Sequence, residues 1–267
     1  MSRPMKATIM MVQKLDLFTR LLIVAFMLLP AWLVLVLSFS NEKSFAFPPR
    51  DWGLNQYQAL FESDYWLGAI FKSFLIATPS ALISLLIGIP AAFALNRTKM
   101  PMRGLLTGLG LAPLVIPGVA YAVAMYTFFI QIHLLGSTIG LILSYVTLAL
   151  PFVIIIVGTS LNRIPPELEL VAMTLGASRG RAMIGITLRL LAPAIGATFI
   201  FAFIHCFDEA TFINFIGGPG LITLPKAIFD SIRTGLEPLI TAIATILMIL
   251  TGLVMILATY WRSDRAN

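Results

Sequence analysis

The sequence predicts an all-α, polytopic membrane protein. Of its 267 residues, 59% are hydrophobic and 11% are charged, whereas about a quarter of the residues in a soluble domain are charged. Six apolar runs without charge have lengths near the roughly 20 residues that a helix needs to cross a bilayer. The runs are continuous rather than alternating, which distinguishes them from the strands of a membrane barrel.

The apolar runs give the predicted order of membrane-spanning helices in a single domain, 1–267. The six predicted spans are residues 21–38, 74–95, 105–130, 135–161, 190–207 and 238–261. The connection between the first two, 41–72, contains several aromatic residues and is expected to lie on the outer face. No segment has the composition of a separate soluble domain.

The basic residues predict the orientation of these spans. Thirteen of the 18 lie in the N-terminal arm, the second and fourth connections and the C-terminal tail, and four of the 12 acidic residues accompany them. Positive charge accumulates on the cytoplasmic side of membrane proteins, so both termini are expected in the cytoplasm. The net charge of +6 therefore requires no nucleic-acid partner.

The third predicted span is dense in residues that break helices. Gly108, Gly110, Pro113, Pro117 and Gly118 fall within eleven residues. We expect a kink or local unwinding here, because proline lacks the amide hydrogen that a helix requires. Irregular backbone in a membrane is tolerated where protein or water satisfies it, so the break either lines a pathway or is a packing kink.

The fourth connection, 162–189, is predicted to be a cytoplasmic loop with its own short helix. Pro166 followed by Glu167 and Glu169 is typical of a helix start, where proline loses no hydrogen bond and carboxylates meet the positive end of the helix dipole. The helix is expected to stop at Gly176, and the small residues Ala177 and Ser178 would let another backbone approach. Spacing alone fits a docking loop or an ordinary interfacial loop.

The loop resembles the cytoplasmic signature of permease subunits of ABC importers, which opens Glu-Ala-Ala, has a glycine six residues after the glutamate and ends near Leu-Pro. Gly176 sets the register. The positions that match are Ala172, Gly176, Ala177, Ser178 and Leu188. The positions that depart are Leu170, Val171 and Arg189, and Glu169 stands one residue before the expected glutamate.

Other segments resemble the polyamine branch of these permeases. They are residues 47–49 with Tyr57 and Phe61, residues 113–118, and residues 207–209, 217–220 and 224–225. The resemblance implies a type I importer permease in a bacterial inner membrane, paired with a second permease subunit. It also implies a dimer of ATP-binding subunits and an external binding protein. ATP and Mg²⁺ would bind to those ATPase partners, and this sequence has no phosphate-binding G-x-x-x-x-G-K-[ST] loop.

The resemblance also implies roles for individual residues. Coupling to the ATPase would involve Glu167, Glu169, Ala172, Gly176, Ala177 and Ser178. Apart from the resemblance, the density of helix breakers makes Pro113, Pro117 and Gly118 candidates for lining the solute pathway.

Asp208 and Glu209 close the fifth apolar run. Charged groups inside a bilayer cost roughly 2.5 to 3.5 kcal/mol each, so they are expected to face a cavity or a partner. If the helix continues to residue 216, the pair lies inside the membrane; if it ends at Phe207, they are interfacial carboxylates. They are candidate contacts for a cationic solute such as putrescine or spermidine, and His205 is expected to donate a hydrogen bond between helices.

The sequence leaves several other functions open. The solute could instead be of the opine, amino-acid, iron or thiamine type. A self-sufficient secondary transporter would need coupling groups in the membrane, for which only Asp208 and Glu209 are candidates. An intramembrane enzyme is disfavoured because the spans offer no Ser/His pair or paired aspartates. Two histidines and one cysteine make a metal site improbable.

Overall fold

The computed structural model describes residues 3–98, 100–235 and 237–263, in which helices dominate. The chain divides into two compact units, one formed by its residues up to Leu67 and from Ser231 onward, the other by Gly68–Asp230. The α-helices, in chain order, are α1 Arg3–Ser38, α2 Asn55–Glu62, α3 Asp64–Arg97, α4 Arg103–Val115, α5 Gly118–Gln131, α6 Thr138–Leu161, α7 Glu167–Thr174, α8 Arg179–Ala182, α9 Arg189–Phe207, α10 Thr211–Ile216, α11 Leu224–Thr234 and α12 Leu239–Ser263. A π-helical segment, Met183–Leu188, joins α8 to α9.

Four helical stretches of the described residues are long and apolar enough to cross a membrane. They are Asp16–Ser38, Asp64–Arg97, Thr138–Leu161 and Arg179–Phe207. The pair α4 and α5 meets the same test together and makes a fifth if it counts as one span. The sixth predicted run falls in α12, whose described apolar part is Leu239–Leu253.

The second and fifth predicted spans are extended by the structure. Helix α3 begins at Asp64, ten residues before the apolar run, and carries an acidic residue in its first turn and Arg97 in its last. These charges suit the two ends of the helix dipole. The fifth stretch gains α8 and the π-helical segment at its start.

The third predicted span is two helices bent by 107°. Helix α4 ends at Val115, and Ile116 is extended, with φ −74° and ψ 131°, because the ring of Pro117 disfavours helical geometry in the residue before it. Helix α5 then starts at Gly118. The predicted break is therefore present, and it is much sharper than a proline kink.

The core of the unit Gly68–Asp230 is built on α6. Tyr145 and Val153 on this helix are fully buried. Helix α3 packs against α6 at Gly88, where an added Cβ atom would lie 2.5 Å from Cγ1 of Val153. The approach of α3 therefore depends on the absence of a side chain at Gly88.

Candidate functional site

The loop 162–189 contains the short helix that its sequence predicts. Helix α7 starts at Glu167, directly after Pro166, and has Glu167 and Glu169 in its first turn. Within α7, which lies wholly in the described part of the chain, no side chain is buried. Glu169 and Ala172 are partly buried and the other side chains of the helix are exposed, so α7 lies on the surface of the unit with one face partly covered.

Gly176 ends α7 in a Schellman turn. Its own N–H donates to the carbonyl of Met173 at 3.1 Å, and the N–H of Ala177 donates to the carbonyl of Ala172 at 3.0 Å. Gly176 has φ +92°, a left-handed conformation that only glycine adopts without strain. No atom lies within 4 Å of a Cβ added there. The backbone angle, rather than a close contact inside this chain, explains the glycine.

Ser178 starts the next helix two residues later. Its side chain accepts a hydrogen bond from the N–H of Arg181, which is the usual arrangement at a helix N-cap. Helix α8 continues through the π-helical segment into α9. Continuous helix therefore joins α8 to the fifth membrane stretch, and a turn of four residues separates α8 from α7.

Glu169 and Thr187 connect α7 to the π-helical segment. The hydroxyl of Thr187 donates a hydrogen bond to Oε1 of Glu169. Thr187 is fully buried, and Glu169 is partly buried. A polar pair removed from water needs its hydrogen bond, because an unpaired buried acceptor costs about 1 to 3 kcal/mol. The pair fixes the position of α7 against the helix that leads into α9.

The exposed surface of α7 and its turn includes apolar side chains that no described residue covers. Leu170 and Val171 are each 58% exposed, and Leu175 is 84% exposed. Contiguous exposed apolar side chains mark interaction sites, because leaving them in water has a free-energy cost. We call Leu170, Val171 and Leu175 the apolar loop surface.

Arg97 holds the other end of the loop. Its guanidinium Nη2 donates to the carbonyls of Leu161, at 3.2 Å, and Ile164, at 2.5 Å. These carbonyls lie at the end of α6, where a cation also meets the negative end of the helix dipole. Arg97 therefore anchors the start of the loop, directly after α6, to the end of α3.

The two predicted pathway carboxylates have different environments. Helix α9 ends at Phe207, before both of them. Oε1 of Glu209 accepts hydrogen bonds from the N–H groups of Thr211, at 2.6 Å, and Phe212, at 3.2 Å, and so caps α10. Asp208 is exposed, and its carboxylate has no hydrogen bond or ion pair with any described residue. Glu209 thus uses one carboxylate oxygen within the chain, whereas Asp208 uses neither with a described residue.

An aromatic contact joins α5, which follows the break at Pro117 and Gly118, to α10, which follows Asp208 and Glu209. Tyr121, one turn after Gly118, packs against Phe212 of α10, with ring centroids 5.6 Å apart. Pro117 and Gly118 are exposed, and Pro113 is partly so. The coupling-loop residues form a separate group. The roles assigned to both groups stay predictions.

Three contacts have no signal in the sequence. The Tyr145 hydroxyl donates to the backbone carbonyl of Glu209 at 2.8 Å, which joins α6 to the start of α10. The Thr187 bond spans 18 residues through a π-helical segment. His205, expected to donate a hydrogen bond between helices, instead packs its ring edge-on against Phe152, with centroids 4.8 Å apart.

Comparison with known proteins gives one family match. The model of the family described as binding-protein-dependent transport system inner membrane component matches residues 84–266. The putrescine transport system permease protein PotI of Escherichia coli K12 is 29% identical over 247 residues, covering 88% of this chain and 86% of PotI. The spermidine/putrescine transport system permease protein PotC of the same strain is 30% identical over 240 residues, covering 89% of each chain.

A solved structure shares the fold. A chain of a bacterial ABC transporter involved in the import of the acidic polysaccharide alginate superposes with a TM-score of 0.72 and 13% identity, covering 98% of both chains. At this identity the likeness concerns the fold alone.

Proposed function

Because the chain belongs to the family of binding-protein-dependent transport system inner membrane components, we propose that it forms half of the solute pathway of an ATP-driven importer. The resemblance to importer permeases is confirmed, and a permease is a transport component rather than an enzyme. The other half of the pathway would come from a second, similar permease subunit. An external binding protein would deliver the solute.

The proposed topology has six crossings with both termini in the cytoplasm of a bacterial cell. It rests on the distribution of basic residues, the four candidate spans, the bent pair α4 and α5, and α12. Residues 1–267 then act as one membrane domain, and residues 162–189 are its cytoplasmic coupling loop.

The apolar loop surface is the observation that carries the proposed coupling. An ATPase dimer that binds ATP and Mg²⁺ would cover Leu170, Val171 and Leu175 and so remove them from water. Nucleotide-driven closure of that dimer would push α7, and the continuous helix through α8 would pass the movement to α9. Rocking of two such bundles is the usual form of alternating access.

Replacing Leu175 with aspartate tests this docking. The variant puts a charge into the proposed interface, where an unpaired buried charge is costly. We expect ATPase subunits to copurify with the wild-type chain and to be lost from Leu175→Asp. The matched control is Leu54→Asp, since Leu54 is 55% exposed and lies outside the loop. Equal ATPase recovery with both variants would refute the docking surface.

The proposed solute is a cationic amine such as putrescine or spermidine. The polyamine permeases PotI and PotC support this class, and the free carboxylate of Asp208 supplies an anionic contact. The fold itself is neutral on the charge of the solute, because the alginate importer shares it.

Replacing Asp208 with asparagine tests the solute class. Loss of one exposed ionic contact is expected to lower putrescine uptake by about fivefold, the factor that about 1 kcal/mol represents. Assembly with the partner subunits should be unchanged. Asp51→Asn, which neutralises another exposed carboxylate of the predicted outer face, should transport normally. Wild-type uptake by Asp208→Asn would remove this carboxylate from the pathway, and uptake of an uncharged or anionic solute alone would favour a permease for that solute.

A further inference from the structure

A cavity of about 210 Å³ lies within the unit Gly68–Asp230, between the end of α3, the start of α4 and the end of α6. Asn96, Arg103 and Asn162 form its polar rim, and Leu111 and Ile155 belong to its apolar part. The mechanism proposed above uses none of these side chains.

The cavity lies where apolar helices pass into basic connections. Arg97 ends α3, Arg103 begins α4, and Arg163 follows α6. Such a boundary is the level of lipid headgroups, and basic pockets between membrane helices at this level suit anionic lipid headgroups. The apolar part of the cavity then points along the hydrocarbon.

The rim offers hydrogen-bond donors that have no partner among the described residues. Arg103 is exposed, and neither its guanidinium nor the amide of Asn162 has a hydrogen bond or ion pair with any described residue. Nδ2 of Asn96 donates one hydrogen to the carbonyl of Ala92 at 2.8 Å and keeps a second. Arginine presents a planar fork of donors that matches phosphate oxygens.

The remaining polar groups of the cavity are acceptors. The hydroxyls of Thr107 and Thr159 donate to the carbonyls of Arg103 and Ile155, at 2.9 Å and 2.7 Å, so their oxygens remain to accept. No carboxylate is among the residues that line the cavity. These donors and acceptors together suit a phosphate ester whose alcohol group carries further hydroxyls. They disfavour a cationic solute.

We propose that this cavity binds the headgroup of an anionic phospholipid with a hydroxylated headgroup, such as phosphatidylglycerol. The phosphate lies against Arg103 and Asn162, the headgroup hydroxyls donate to the threonine oxygens, and an acyl chain follows Leu111 and Ile155. This inference is independent of the solute and of ATPase docking.

Native mass spectrometry of the purified full chain in detergent tests the site. With phosphatidylglycerol added, we expect one tightly held lipid per chain. Phosphatidylethanolamine should bind about tenfold more weakly, since it is zwitterionic. Arg103→Gln, which removes the charge, and Asn162→Asp, which introduces a repelling carboxylate, should each weaken phosphatidylglycerol binding by about tenfold. Both positions are exposed, so neither variant disturbs the core.

Arg181→Gln is the charge-matched control, because Arg181 is exposed but does not line the cavity. It should bind phosphatidylglycerol as the wild type does. Three results would overturn the proposal: equal binding of the two lipids, equal loss in Arg181→Gln and Arg103→Gln, or displacement of the lipid by millimolar glycerol 3-phosphate. The last would identify a site for a soluble phosphate.

Discussion

Glu169 directs Oε1 of its carboxylate to the hydroxyl of Thr187, in the π-helical segment. In the sequence, Glu169 stands one residue before the place of the signature glutamate and is a candidate for contact with the ATPase. Its hydrogen bond instead lies inside the chain. We therefore propose that Glu169 and Thr187 are positioning residues that hold α7 against the π-helical segment, and that the apolar loop surface makes the proposed contact with the ATPase.

Replacing Thr187 with valine tests this positioning role. Valine keeps the shape but removes the donor, which leaves the partly buried carboxylate of Glu169 unpaired at a cost of about 1 to 3 kcal/mol. In the reconstituted importer we expect severalfold more ATP hydrolysed per solute transported, with ATPase recovery unchanged. Thr187→Ser, which restores the hydroxyl, should return the ratio toward the wild type. A normal ratio in Thr187→Val would show that the bond has no part in coupling.

Individual residues were predictable where a local backbone rule applies. Gly176 could be read as a helix stop, because its left-handed φ of +92° closes a turn that other residues enter only with strain. Thr187 could not be read in this way. Its partner is 18 residues away, and the π-helical segment between them alters the register that ordinary helical spacing would give.

At the scale of elements, the packing of α3 on α6 depends on Gly88. The added Cβ atom would lie 2.5 Å from Cγ1 and 2.8 Å from Cβ of Val153. Valine has little rotamer freedom in a helix, so it cannot move aside cheaply.

Gly88→Ala is therefore expected to destabilise the chain by about 1 to 3 kcal/mol, seen as a lower melting temperature in detergent. Adding Val153→Ala should recover part of this loss, because it removes Cγ1, the nearer of the two clashing atoms, and leaves Cβ in place. Gly68→Ala on the same helix is the control, since no atom lies within 4 Å of its added Cβ. If Gly88→Ala melts like Gly68→Ala, the close approach is not a constraint.

For the third span, the sequence predicted the position of the break but not its geometry. Proline and glycine density predicted the break, because these residues remove a hydrogen bond and a side chain. It did not predict the 107° angle. The direction of α5 depends on contacts such as that between Tyr121 and Phe212, which join segments distant in sequence.

For the whole molecule, the all-α class and four of the apolar spans could be predicted from the sequence. Long runs without charge predict which segments suit a bilayer. The placement of basic residues predicts on which side of the membrane each connection lies. The surface that α7 leaves uncovered was not readable, because burial of Leu170 or Leu175 depends on the three-dimensional neighbours of each side chain. That uncovered surface is the central element of the proposed mechanism.

The most direct test of the account is the sidedness of residue 175. A Leu175→Cys, Cys206→Ser chain would carry one thiol, since Cys206 is the sole native cysteine. A membrane-impermeant maleimide should label it in inside-out vesicles stripped of ATPase, less so when the ATPase is bound, and not in intact spheroplasts. Labelling in spheroplasts, or labelling that bound ATPase leaves unchanged, would contradict the assignment of loop 162–189 as the cytoplasmic coupling element.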